Sequence, residues 1–496
     1  MGKYILGIDQ STQGTKALLF DEFGDIVKRS DLPHRQIITE EGYVSHDAME
    51  IYENTILVVQ KVVKESGIRK EEILGVGISN QRETSVVWEK TTGIPINHAV
   101  VWQCHRAEKI CKRVEELGKA EWIKGRTGLQ LSPYFPASKF AWLIEHSQDA
   151  KEKAWNNELR FGTMDTWLIY GLTKGQSYKT DYSNASRTQL FNIMDLSWDE
   201  EICSLFGLKK EWMAEVVDSN ALFGMTDFEG FFDHPIPIHG VLGDSHGALF
   251  GQGCLQPGMI KTTYGTGSSI MMNIGKKPVL SNHGVVTSLA WGIDGQVNYV
   301  LEGNINYTGA IISWFKDDLQ IIHNPNETED LARWANRDDG VYFIPAFTGL
   351  GAPYWDSKAT ASIVGMTRTT TKKEIVRAGL EAIVYQIADV IGAMKEDAGL
   401  QIKEVRVDGG PTKNKYLMQF QSDILEIPVQ VPSAEELSGM GAAYAAGLAL
   451  HIYEEEIFKR KKYKDYQPKM ESHLAKKKYK GWKIAVNGVL SETHLL

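Results

Sequence analysis

Residues 4–20 read YILGIDQSTQGTKALLF. An apolar run from Tyr4 to Ile8 ends at Asp9, the polar turn Gln10-Ser11-Thr12-Gln13-Gly14 follows, and Thr15 to Phe20 resumes the apolar run. Two short β-prone runs around a Gly-containing turn predict an antiparallel strand-turn-strand, which Asp21-Glu22-Phe23-Gly24 turns into a third strand. The theme returns beyond mid-chain, where Lys261 to Asn273 is again strand, turn (Gly265-Thr266-Gly267) and strand. We read the pair as a weak internal duplication, each half opening on two strands joined by a turn rich in Gly, Thr and Ser.

Outward from these hairpins, Asp47 to Ser66 has helical periodicity with an Asp at its start. Ile73–Ser79, Thr84–Trp88 and Ile236–Leu242 read as buried strands, and Gly243-Asp244 leads into a helix of small residues. In the second half Val405–Val407 enters Asp408-Gly409-Gly410 ahead of a helix from about Lys413 to Ile424. After Val429–Val431 an Ala/Gly-rich helix spans Ser438 to Leu450. The 496 residues exceed what one hydrophobic core serves, so an α/β protein of two domains is expected, divided as 1–250 and 251–496.

Composition is that of an ordinary globular enzyme, 43% hydrophobic and 24% charged. A formal charge of −9 argues against partners such as nucleic acid or an acidic membrane surface. An anionic ligand must then be held by local donors. The Lys-rich stretch Phe458 to Lys483, with Tyr and Trp interleaved, is read as a solvated amphipathic helix or loop. Cys104, Cys111, Cys203 and Cys254 form no CxxC pair and are expected as free thiols in a reducing compartment. The N-terminus lacks the apolar core of a signal peptide, and no apolar run approaches the roughly 18 residues of a membrane span. A cytoplasmic protein is expected.

Turns with Gly and hydroxyl residues suit phosphate, because their backbone N–H groups converge on an oxygen with no Cβ in the way. The chain lacks GxxxxGK[ST] and has instead the hairpins Asp9–Lys16 and Thr263–Ser268. Either alone is what any tight hairpin looks like. Together they carry more: Asp9 stands where a carboxylate can hold Mg²⁺ through water, Lys16 is a candidate phosphate contact, and Asp408-Gly409-Gly410 offers a third turn suited to adenosine.

Longer stretches bring a resemblance. Ser79–Lys90 (SNQRETSVVWEK), Ala99–Cys104 (AVVWQC), Tyr134–His146 (YFPASKFAWLIEH), Phe161–Ile169 (FGTMDTWLI), Thr180–Ile193 (TDYSNASRTQLFNI) and Val341–Asp356 (VYFIPAFTGLGAPYWD) resemble the FGGY carbohydrate kinases, most of all the glycerol kinases among them. The resemblance implies an actin-like fold, two ribonuclease H-like domains with five-stranded mixed sheets around a cleft. It also implies ATP as phosphoryl donor, with the acceptor deep in the N-terminal domain. By motif it places Arg82, Glu83, Trp102, Tyr134 and Asp244 in a polyol pocket, with Asp244 the catalytic base. Thr12, Gln13, Gly14 and Lys16 would meet the γ-phosphate, and Thr266, Gly309, Ser313, Gly410 and Asn414 the nucleotide. Arg82 and Glu83 would pair a donor with an acceptor for vicinal hydroxyls. Homodimers or homotetramers are common in such kinases.

Departures are equally specific. Glycerol kinases usually carry Gln after the base, where this chain has Ser245, and an aromatic where it has Ser269. Lys16 stands for an Arg in the opening turn. These changes suggest a roomier, more polar pocket for a four- to six-carbon polyol or ketose, against the alternative that neighbouring side chains refill the space and glycerol remains the acceptor. Pro235 and Met225 stand where glycerol kinases carry the Arg and His of two known controls, so neither control is expected. Ser245-His246 also admits a hydrolase reading, though adjacent residues rarely reach nucleophile–base geometry. A non-catalytic actin-like ATPase is a further rival.

Overall fold

The computed structural model describes residues 2–491. In the first half the strands are β1 (Tyr4–Gln10), β2 (Gly14–Phe20), β3 (Ile26–Pro33), β4 (Ile73–Asn80), β5 (Gly224–Thr226) and β6 (Ile236–Gly243), ordered β5-β6-β4-β1-β2-β3. β1, β2 and β3 pair antiparallel, β1–β4 and β4–β6 parallel, and β5 closes the edge antiparallel. β1 is flanked on both sides, which is why Ile5, Leu6 and Ile8 are fully buried.

The second half repeats the plan. Its strands are β7 (Ile260–Tyr264), β8 (Ser268–Gly275), β9 (Val286–Ile293), β10 (Gln296–Ile305), β11 (Val405–Gly409), β12 (Val429–Pro432) and β13 (Tyr463–Tyr466), in the order β9-β10-β8-β7-β11-β12-β13. Three antiparallel strands (β10-β8-β7) again meet two parallel ones (β11-β12), matching β3-β2-β1-β4-β6. The sheets are thus larger than the five strands expected, at six and seven. The additions are edge strands, β5 on one sheet and β9 and β13 on the other.

The helices that position the site are α1 (Ala48–Ser66), α2 (Pro136–His146), α3 (Asp244–Gly251), α4 (Gly309–Ser313), α5 (Lys372–Ala398), α6 (Lys415–Leu425), α7 (Leu437–Ala449) and α8 (Ser472–Asn487). Asp47 caps α1 by accepting from the amides of Met49 and Glu50, and the helix buries Ile51, Val58, Val59 and Val62 on the sheet. α7 belongs to the second half in sequence but lies on β1, β4, β6 and α3. Glycines allow the approach: a Cβ on Gly441 would sit 1.9 Å from the Gly247 carbonyl oxygen, and one on Gly77 2.3 Å from that of Ala442. The Lys-rich stretch ends as the amphipathic helix α8, with Lys476, Lys477 and Lys480 exposed and Trp482 buried. Trp482 Nε1 and Tyr479 Oη donate to Asp389 of α5 at 2.7 and 2.6 Å. No helix among the described residues is long and apolar enough to cross a membrane. The four cysteines are buried and free.

Candidate active site

Three neighbouring cavities lie at the cleft, the first two lined from both halves and the third by the second half alone. The first, about 520 Å³, is lined by Arg82, Glu83, Trp102, Tyr134 and Asp244 on one side and by Thr263, Gly265–Ser269 and Asn304–Asn306 on the other, with Thr12 at its edge. The second, about 600 Å³, has Asp9, Lys16, Asp408, Gly409 and Glu436 in its wall. The third, about 530 Å³, holds Gly309, Ser313 and Asn414. Thr263 is common to the first two, and Gly410 and Lys413 to the last two.

Asp244 opens α3 directly after β6, and Gly243 is tightly enclosed there, its would-be Cβ 2.6 Å from the Arg82 stem. Asp244 Oδ1 accepts from Arg82 Nε at 3.0 Å and from the Ser245 amide at 2.6 Å. Its side chain is 35% exposed, toward the first cavity. Arg82 and Glu83 are each held by a partner from elsewhere in the chain. Arg82 makes a bidentate pair with Glu302, both bonds 2.9 Å, and Glu83 accepts from Arg187 Nε at 2.6 Å. Arg187 also lies 3.0 Å from Glu302. Two arginines outweigh the burial of Glu302 and hold its carboxyl far below the ordinary range.

Lys139 of α2 is fully buried and donates to the backbone carbonyls of Glu83 (3.1 Å), Trp102 (3.3 Å) and Tyr134 (2.6 Å). One ammonium thereby ties together three segments that line the pocket, although burial pushes it down to about 7. The Trp102 and Tyr134 rings meet at 5.6 Å, and Trp102 Nε1 donates to Thr12 Oγ1 at 2.9 Å, so Trp102 also fixes the first hairpin.

In the second cavity Asp9 is buried at the end of β1, and desolvation raises it to about 6, with Glu436 and Asp244 adding to the rise and Lys16 opposing it. Its Oδ1 makes no well-formed hydrogen bond, the Ser79 hydroxyl lying alongside. Lys16 is drawn toward Glu436, at 2.6 Å, more than toward Asp9, at 3.9 Å. Gln13 and Gly14 line none of the three cavities. The Gly14 carbonyl accepts from the Ser11 amide and hydroxyl, and that of Gln13 from the His34 amide. Of the residues expected at the nucleotide, Gly309, Ser313, Gly410 and Asn414 share one cavity, while Thr266 lies in the first. The hydrolase pairing is absent: Ser245 Oγ accepts from Arg82 at 3.2 Å, and the ring of the buried His246 faces Ser288 at 3.4 Å.

The profile of the FGGY family of carbohydrate kinases matches twice, its N-terminal domain over residues 4–251 and its C-terminal domain over residues 260–450. The chain belongs to that family. It is 46% identical over 490 residues to the glycerol kinase of Bacillus licheniformis, covering 98% of this chain and 99% of the relative. To glycerol kinase 1 of Thermotoga maritima it is 48% identical, covering 99% of this chain and 100% of the relative. The crystal structure of Plasmodium falciparum glycerol kinase with ADP superposes with a TM-score of 0.93 at 35% identity, over 99% of this chain and 98% of that one. A gluconate kinase from Lactobacillus acidophilus shares the fold, with a TM-score of 0.88 at 21% identity and 99% of both chains covered. This FGGY protein is an ATP-dependent carbohydrate kinase with the actin-like fold. Sequence reasoning missed Glu302, Arg187 and Lys139 at its cleft. The signal was a lone charge inside an otherwise apolar or small-residue stretch, as in QVNYVLEGNI, where burial demands a partner.

Proposed function

We propose that this FGGY kinase transfers the γ-phosphoryl group of ATP to a terminal hydroxyl of a small polyol, converting glycerol to glycerol 3-phosphate in the reference reaction. The acceptor occupies the first cavity, the phosphates the second and the nucleoside the third. Residues 1–250 supply the base and most acceptor contacts, and residues 251–496 the nucleotide site. The observation that carries this reading is the carboxylate of Asp244. Its Oδ1 is tied down by Arg82 and the Ser245 amide while the group as a whole faces the acceptor cavity. Oδ2 then takes the hydroxyl proton as the acceptor oxygen bonds to phosphorus and the bond to ADP breaks. Arg82 and Glu83, each locked by a buried ion pair, present a donor and an acceptor to the remaining hydroxyls. Trp102 and Tyr134 cover the carbon face.

Mg²⁺ fits the second cavity. One buried carboxylate with a poorly partnered oxygen, Asp9, is the kind of protein donor this ion takes when phosphates supply other ligands. There it would neutralise charge on the phosphates. Lys16 would add a point charge once released from Glu436.

Asp244→Asn keeps the shape and removes the base. It should lower kcat by about 10²–10⁴ with little change in acceptor KM, as followed by coupled ADP release. Turnover equal to the parent would dispose of the assignment, and ATP turnover indifferent to every polyol would favour the non-catalytic ATPase.

A further inference from the structure

The wall of the acceptor cavity opposite Arg82 and Asp244 is built from the second sheet, and its register orders it. Ser269 of β8 lies directly across from Thr263 of β7 on one side and from Asn304 of β10 on the other, and Thr263 is level with Asp408 of β11. Residues directly opposite in an antiparallel pair project to the same face. Asn304, Ser269 and Thr263 therefore form a polar row across three strands, and all three line the cavity. With strands about 4.8 Å apart, the row runs roughly 10 Å. Asn306 and Ser268 lie in the same wall.

The members of the row differ in what they bond. Thr263 Oγ1 accepts from Lys261 Nζ at 2.9 Å. Asn304 Nδ2 reaches Glu302 at a long 3.4 Å. Between them the Ser269 hydroxyl is buried and has no hydrogen-bond partner in the protein. A hydroxyl shut away from water without a partner is costly, and rotation about χ1 toward the cavity that Ser269 lines lets a ligand hydroxyl remove the cost. A triol cannot supply it easily. One of its three oxygens attacks phosphorus beside Asp244, and the other two have partners in Arg82 and Glu83.

We infer that the acceptor preferred by this kinase is an open-chain polyol of four or five carbons, whose additional hydroxyls bind the row Asn304–Ser269 with Asn306 beyond it. The inference rests on the polyol-kinase reading above and extends its pocket. The step is unchanged: the terminal oxygen forms the new bond to the γ-phosphorus, ADP departs, and the proton passes to Asp244. A site built to hydrogen-bond a hydroxyl discriminates strongly against an analogue that lacks it.

The test is coupled ADP release from the full chain with Mg²⁺ and ATP against glycerol, erythritol, ribitol and xylitol. At least one of the longer polyols should exceed glycerol in kcat/KM by about tenfold or more. If glycerol equals or exceeds them all, the inference is wrong while the polyol-kinase reading stands. If none of the four raises ADP release above the acceptor-free rate, that reading falls as well. A second arm uses Ser269→Ala, which removes one hydroxyl and little volume. The preference for the longer polyol over glycerol should shrink by roughly two- to tenfold, and an unchanged ratio would overturn the role given to the row.

Discussion

At Asp9, burial and the nearby carboxylates of Glu436 and Asp244 hold the carboxyl at about 6, well above its ordinary 3.8. The sign follows from linkage: the neutral form is favoured in the folded protein, so folding loses stability as pH rises from about 4 through about 6. A cation that binds only the ionised form offsets this loss, and below pH 6 protons compete with it. The Mg²⁺ concentration for half-maximal activity should therefore rise about tenfold per unit below pH 6 and flatten above about 7. In Asp9→Asn that inflection should vanish; a titration with the inflection intact would remove Asp9 from the metal site. Asp9 was legible in the sequence because it ends a strand at a turn, and Asp244 because it joins a strand to a helix. Glu302 and Arg187 were not, because what makes them matter is a partner far along the chain. Arg82 and Glu302 stand 220 residues apart, and Arg187 and Glu83 stand 104 apart. No local pattern carries such a pairing.

Most elements around the cleft could be read from periodicity and turns, since β1, β2, β7, β8, α1, α3 and α7 all carry strong local signals. The edge strands β5 and β13 are short, and their assignment depends on a neighbour to pair with. β9 and β10 were passed over although Asp294-Gly295 between them is a hairpin signal. That omission also hid Glu302 and Asn304. α7 shows how far a legible element can fall short of its meaning. Its Ala content predicts a helix despite three glycines, but its placement on α3 and the first sheet follows from backbone contact at Gly77, Gly247 and Gly441. Gly441→Val has no room to relax, because its neighbour is backbone. We expect a loss of at least about 1–3 kcal/mol, measured as a lowered urea midpoint at unchanged m-value. A variant as stable as the parent would mean that α7 can shift without loss.

The molecule as a whole is joined at its cleft by charge as well as by α7. Glu302 comes from the second half and holds both Arg82 and Arg187 of the first, and all three are almost wholly buried. The first cavity is lined from both halves. A different latch, Arg29 to Glu436, sits at the rim with Arg29 42% exposed. Dissolved ions screen the rim but cannot enter the Glu302 cluster. Adding sodium chloride from about 0.1 to about 1 M should thus leave calorimetric affinity for an uncharged acceptor within about twofold, while binding of the polyanionic nucleotide weakens several-fold. Equal losses for both would contradict a sealed cluster. Brine tolerance on one side of the cleft and brine sensitivity on the other is what a bolt of three dry charges at a watery seam entails.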